Sequence, residues 1–184
     1  MNAEGFVKGA VLALLAALCL PGSAQPAAFS DTVDMGAAMP QAKELTEGLF
    51  PEGACDPLRG GGCKCMGFKP PVRFLLPATA FKLGSAELPD SLRKQLDVFA
   101  EVLRSKKGSG KQIRIEGHSD ASGSAAANLA LSQRRADAVK DYLVKQGADS
   151  AMLTAVGMGA KMLKNPDDPN GAENRRVEIR REPS

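Results

Sequence analysis

The loop at residues 117–124, GHSDASGS, sets one carboxylate, Asp120, among small residues. Small residues let a backbone turn tightly, and a loop that opens a helix leaves amide groups exposed at the helix N-terminus, where they attract anions. Further along, Arg135 stands in the run NLALSQRRADAVKDYL. Because successive helical residues turn by about 100°, Leu131, Ala138, Val139, Tyr142 and Leu143 share one arc, and Arg135 falls on it between Leu131 and Val139. Gln133, Arg134, Asp137, Lys140, Asp141 and Lys145 fall opposite, while Asn128 and Ser132 lie on the arc of Arg135, nearer the helix start. An unpaired guanidinium on an apolar face is costly. Arg135 must therefore meet an acid, sit at a cleft edge, or both, and Asp120 is the nearby candidate. Such a corner holds an anion on Arg135 and the loop amides and a cation on Asp120, so a ligand bearing both charges on one carbon fits it.

Holding these groups requires a strand before the loop and a helix after it. KQIRIEG alternates, with Ile113 and Ile115 on one face and Gln112, Arg114 and Glu116 on the other, which predicts a strand. VEIR alternates likewise, with Val177 and Ile179 inward and Arg176, Glu178 and Arg180 outward. The outward charges read as a solvated ladder on an open sheet face. VRFLLPATAFKL supplies a first strand region interrupted near Pro77, and PDSLRKQLDVFAEVLRSKK carries Leu92, Leu96, Phe99 and Leu103 at helical spacing, with Pro89 suited to the first turn. Strand, helix, strand, long helix, strand, loop, strand predicts an α/β two-layer sandwich, a mixed β-sheet with helices packed on one face, over residues 72–184.

Several runs occur together in one order: AFKLGSAELPDSLRKQLDVFAEVLR, EGHSDASGSAAANLALSQRRADAVKDYLVKQGA, LTAVGMGA and NPDDPNGAENRRVEIRRE. From about residue 72 to 181 the chain resembles the OmpA-like C-terminal domain family, whose motif runs G-H-T-D-x-x-G, N-x-x-L-S-x-x-R-A, N-R-R-V-E. The resemblance implies non-covalent binding of bacterial peptidoglycan through the free α-amino acid end of diaminopimelate in the stem peptide. By motif position Asp120 takes the ammonium and Arg135 the carboxylate. Asn128 and Ser132 match the N-x-x-L-S positions and hydrogen-bond the ligand or the loop. Ser119 stands for the usual threonine and keeps its hydroxyl, and Arg176 or its neighbour Arg175 adds charge at the rim. Ala127 stands where many members carry an aromatic, which removes a surface for stem-peptide packing. Other envelope proteins are further expected partners.

Residues 1–24 carry Lys8 ahead of AVLALLAALCL and then PGSA, the layout of a secretory signal cut after Ala24. Export places the protein in the periplasm, in association with the outer membrane. Residues 25–71, rich in Ala, Gly and Pro, read as a linker in which PQAKELTEGLF offers one or two helical turns. Cys55, Cys63 and Cys65 fall in that stretch, and an oxidising compartment favours a disulfide between Cys55 and one of the other two. The only histidine, His118, is far from them in sequence, so neither a metal nor a cofactor is expected.

The formal net charge of +3 is too small for a dominant attraction to nucleic acid, and the glutamates in RRVEIRR interrupt any phosphate-binding stripe. Catalysis by His118 with Asp120 and Ser122 or Ser124 would draw a triad from near neighbours in one loop, whereas triad members usually come from separate elements. A binding protein rather than an enzyme is expected. The competing reading is a periplasmic protein-interaction module in which Asp120 and Arg135 form an internal ion pair.

Overall fold

A computed structural model describes residues 32–51, 72–77, 81–82 and 84–182. The expected signal at 1–24 and the three cysteines Cys55, Cys63 and Cys65 lie outside the described residues. In chain order the elements are β1 (Thr32–Asp34), α1 (Ala42–Leu49), β2 (Arg73–Pro77), α2 (Asp90–Ser105), β3 (Ile113–His118), α3 (Ala125–Lys145), β4 (Leu153–Gly159) and β5 (Arg176–Arg181). The five strands form one sheet in the order β1-β2-β5-β3-β4. β1 with β2 and β3 with β4 pair in parallel, while β5 runs antiparallel to both β2 and β3. The sheet is mixed, as the sequence pattern predicts.

The inward face follows from the alternation: Phe74, Leu76, Ile113, Ile115, Val177 and Ile179 are all fully buried. Against them α2 lays Leu92, Leu96, Phe99 and Leu103 from its i, i+4, i+7 stripe. The rings of Phe74 and Phe99 meet edge to face, 5.7 Å between centroids and 84° between planes. Pro89 sits one residue ahead of the first turn, its extended backbone (φ −72°, ψ 158°) serving as the N-cap, with Asp90 in the first turn and Arg104 in the last complementing the helix dipole. α3 starts where the Ser124 hydroxyl accepts the amide of Ala127.

The linker reading is corrected for residues 32–51. β1 extends the sheet beyond β2, and α1 buries Leu45 and Leu49 in the same core as Met35, Phe50 and Phe74. Gln95 of α2 fastens this segment by donating to the carbonyls of Gly36 at 3.1 Å and Ala38 at 2.7 Å. The amide of Val72 returns to the carbonyl of Gly48 at 2.9 Å. α1 presses so near the sheet that a Cβ on Gly48 would lie 2.6 Å from the Phe74 ring. The helical turns expected in PQAKELTEGLF are those of α1, but their packing was not legible, because an eight-residue helix shows only one Leu45–Leu49 repeat, too short a window for a buried face to emerge.

The outward face also differs from a solvated ladder. Glu116 and Glu178 are directly opposite one another on neighbouring strands and nearly inaccessible, at 3 % and 2 % exposure. Two like charges so placed repel unless cations flank them. Arg114 at 2.7 Å and Arg180 at 3.1 Å hold Glu116, and Arg73 at 2.8 Å and Arg176 at 2.6 Å hold Glu178. Arg73, Arg180 and Arg114 stand in one row across the three strands. His118 lies beside Glu178 with both ring nitrogens lacking hydrogen-bond partners among the described residues. The ligand atoms of Glu116, His118 and Glu178 come within 4.8 Å of one another. Four guanidiniums outnumber the two carboxylates there, so a further cation would enter a cluster that already carries surplus positive charge.

Two measurements check this packing. Leu49→Ala is expected to lower unfolding free energy by about 2–5 kcal/mol in urea titration, the range for emptying a buried leucine site, whereas an unpacked linker would leave stability unchanged. The second concerns His118, whose pKa burial, and then Arg176, push down to about 4 against the opposing pull of Glu178 and Glu116. The unfolded chain takes up this proton near pH 6.5, before the folded chain does, so the associated stability is complete above pH 6.5 and is lost as pH falls towards 4. That loss amounts to roughly 3 kcal/mol, and urea midpoints measured across this window should fall in the native chain but flatten in His118→Gln.

Candidate functional site

Backbone proximity builds the corner. A Cβ on Gly117 would lie 2.1 Å from the Ser132 carbonyl oxygen, and one on Gly157 2.6 Å from the amide of Gln133. With no side chains there, α3 rests directly on the ends of β3 and β4. Ser132, fully buried, donates to the Leu129 carbonyl at 2.9 Å and accepts the Gly159 amide at 2.9 Å. Gln133, expected on the outward arc, instead caps the edge of β4: its oxygen accepts Gly157 N at 2.6 Å and its nitrogen donates to the Ala155 carbonyl at 3.3 Å. The glycine spacing of GMGA carried the signal for this contact, although its meaning depends on a register visible only in three dimensions.

Asp120 leaves β3 into a loop fixed from three sides. Ser119 donates its amide to Gly159 O at 2.9 Å, Ala121 donates to Pro169 O at 2.9 Å, and Asn128 donates to the carbonyls of Asp120 at 3.1 Å and Ser122 at 2.6 Å. One carboxylate oxygen of Asp120 accepts both the amide of Ser122, at 3.1 Å, and its hydroxyl. The other accepts Nη1 of Arg175 at 2.7 Å. Burial alone would raise the Asp120 pKa, but the Ser122 hydroxyl, the Arg175 guanidinium and the Ser122 amide outweigh it and hold the group below its ordinary value. The acid is ionised at neutral pH.

Arg135 enters from the apolar arc as expected and is 3 % exposed. Its Nε donates to the Ser85 carbonyl at 3.0 Å, and its guanidinium carbon stands 5.0 Å from the centroid of the Phe81 ring. A cation over an aromatic face is stabilised without neutralisation. Among the described residues no carboxylate forms an ion pair with Arg135, so the internal Asp120–Arg135 pair is replaced by Asp120–Arg175. Burial, and then repulsion from Arg175, lower the Arg135 pKa, while Asp120 opposes them. Two guanidiniums thus act around one carboxylate, leaving surplus positive charge in a corner that also holds an acid.

The remaining expected residues divide. Asn128 braces the loop, Ser132 braces the helix against β4, and the buried hydroxyl of Ser119 has no hydrogen-bond partner among the described residues. Arg176 does not reach the corner: it is 5 % exposed on the charged sheet face, donating to Glu178, to Asn174 O at 3.3 Å and to Met162 O at 3.1 Å. Consecutive strand residues point to opposite sides, so Arg175 takes the rim position. Asn174, fully buried, donates to the carbonyls of Asn165 at 3.3 Å and Asp168 at 2.8 Å and accepts the amide of Asn165 at 2.9 Å. It thereby shapes the loop that presents Pro169 to Ala121. His118 faces the sheet charges and the Ser122 hydroxyl is committed to Asp120, so the acid–base partnership considered for them is not assembled.

The OmpA family pattern matches residues 80–179. The peptidoglycan-associated lipoprotein of Pseudomonas aeruginosa is 40 % identical over 103 residues, covering 55 % of this chain and 60 % of that protein. Outer membrane protein A of Yersinia pseudotuberculosis is 37 % identical over 103 residues, covering 55 % of this chain and 28 % of that protein. The chain therefore spans well under the full length of these relatives. Among solved structures, a putative MotB-like protein from Desulfovibrio vulgaris is 29 % identical with a TM-score of 0.50, covering 61 % of this chain and 73 % of that one. The periplasmic domain of Helicobacter pylori MotB, at 20 % identity and a TM-score of 0.52 over 59 % of this chain and 80 % of that one, shares the fold.

Proposed function

This chain belongs to the OmpA family, and from that membership we propose that it binds peptidoglycan without covalent attachment, gripping the α-amino acid end of a stem-peptide diaminopimelate. The observation that carries the reading is a buried Arg135 without a carboxylate of its own in the loop-and-helix corner where Arg175 pairs with Asp120. Arg135 has no carboxylate partner among the described residues, and a ligand carboxylate supplies one. The ammonium on the same ligand carbon takes Asp120, ionised and fixed by Ser122. Neither charge is then buried unpaired. In this reading Asn128, Ser119 and Ser132 hold the corner in shape, and the domain ties the outer envelope to the periplasmic cell wall after removal of residues 1–24.

The observed Asp120–Arg175 pair favours a second reading, since it satisfies the acid internally: a periplasmic interaction module that keeps the fold and has no wall ligand. Titration with meso-diaminopimelate separates the two, because only the first predicts saturable binding.

Sedimentation with purified peptidoglycan sacculi tests the site. Arg135→Ala is expected to weaken binding by about 10- to 100-fold, the equivalent of losing a charge-assisted hydrogen bond worth roughly 1.5–3 kcal/mol. Arg134→Ala, on the exposed side of α3, should bind as the native chain does. Arg135→Lys should also bind poorly, because an ammonium cannot offer a carboxylate two parallel donors. Circular dichroism of each variant confirms folding, and equal binding by the two alanine variants would remove Arg135 from the site.

A further inference from the structure

Asp120 is already occupied when no ligand is bound. One oxygen is committed to Ser122, and the other, the place a ligand ammonium would take, accepts Nη1 of Arg175 at 2.7 Å. The exposures are unequal: the Asp120 side chain is 9 % accessible and that of Arg175 is 32 %. Arg175 is therefore the more accessible member of the pair.

The attachment of Arg175 is also lopsided. The preceding Asn174 is fully buried and held by three hydrogen bonds, so the main chain cannot follow a moving side chain. Among the described residues the Arg175 guanidinium makes one hydrogen bond, to Asp120. Arg175 also lines a cleft of about 200 Å³ together with Asp34, Lys164 and Glu173. Glu173 is exposed and lines the same cleft; one of its oxygens accepts Asn165 Nδ2 at 2.7 Å, and that bond first, with Lys164 and Arg175 after it, holds its carboxyl below the ordinary value. A fixed backbone, a singly held side chain and an acid within electrostatic reach permit exchange between two positions.

We infer that Arg175 is a specificity-determining residue of the peptidoglycan site, a built-in competitor that holds Asp120 until a ligand ammonium displaces it towards Glu173. This inference rests on the diaminopimelate reading above. On this account a bare carboxylate meets Arg135 but leaves the Asp120–Arg175 pair shut, whereas a ligand bearing ammonium and carboxylate on one carbon both opens the pair and fills Arg135. The exchange keeps charge in balance, since one cation leaves Asp120 as another arrives and the displaced guanidinium gains Glu173.

The test is calorimetric titration of the full chain with meso-diaminopimelate, comparing native protein with Arg175→Ala and Arg175→Gln. Removing the competitor is expected to tighten binding about two- to tenfold, the scale of a partly exposed ion pair. Arg175→Gln provides the same readout with the uncharged stem and a polar end retained should the alanine variant fold poorly. In the native chain, the Arg175 Nε–H NMR signal is expected to move to the position of a solvent-exposed arginine at saturation, and pimelate, which lacks both amino groups, should leave it unmoved. Binding that both variants weaken or leave unchanged, or an Arg175 signal that stays put while diaminopimelate saturates the protein, overturns the gate and leaves the ligand reading standing. No titration by native chain or variants would bring down both.

Discussion

The direct contact between α3 and the strands beneath it governs the rest of the structure. Side chains normally keep a helix about 10 Å from a sheet it covers, and the missing Cβ atoms at Gly117 and Gly157 let this helix descend until backbone touches backbone. The descent joins Ser132 to Gly159 and Gln133 to the edge of β4. It also determines what Arg135 can be. Lying about one turn beyond Ser132 on the same face, its side chain enters the layer between helix and sheet, where Phe81 and Ser85 receive it. Any side chain at position 117 would lift the helix, widening the distance from Arg135 to Asp120.

Two collections of charge stand back to back across the sheet, and their contrast separates architecture from site. On the outward face each glutamate lies between two arginines. Buried ion pairs of this kind add little net stability relative to apolar packing, but removing one partner leaves an uncompensated charge, so the network imposes register on β2, β5 and β3. At the loop corner the ratio is the same, two guanidiniums to one carboxylate, yet the geometry is unfinished: Arg135 is stabilised by a ring and a carbonyl rather than by an acid. An incomplete arrangement built on a rigid frame can recognise something outside itself.

Much of this was legible in the sequence. The alternation around Ile113 and Val177, the stripe of Leu92 to Leu103 and the inward place of Arg135 depend on period alone, and period survives folding. Partners did not follow so readily. Asp120 faces Arg175 rather than Arg135 because the antiparallel pairing of β3 with β5 brings Arg176 opposite His118 and thereby sets the preceding arginine at the loop, a consequence of register that one-dimensional spacing does not contain. The outward charges looked solvated because alternation reports which side a residue faces, not what its neighbours cover. The helical turns of α1 showed in the sequence but its buried face was hidden by brevity, and the three cysteines belong to a stretch outside the described residues.

The segment before residue 80 changes how the family domain should be understood in this chain. β2, which lies ahead of the matched span, pairs along its whole length with β5, the strand that begins just after Arg175. β1 then reaches the rim through Asp34 and Lys164, 2.6 Å apart. Both members of that pair are substantially exposed, 54 % and 38 %, and such pairs contribute about 0–1 kcal/mol, so the bridge cannot be what binds the segment to the domain. Burial of Leu45, Leu49 and Phe50 does that. What the bridge supplies is position: it ties residue 164, at one end of the loop carrying Pro169, Asn174 and Arg175, to the edge of the sheet, and leaves Asp34 as a wall of the cleft beside Arg175. The early segment thus bears on the site through the shape of its rim, while the groups that meet charge remain on β3, α3 and the approach to β5.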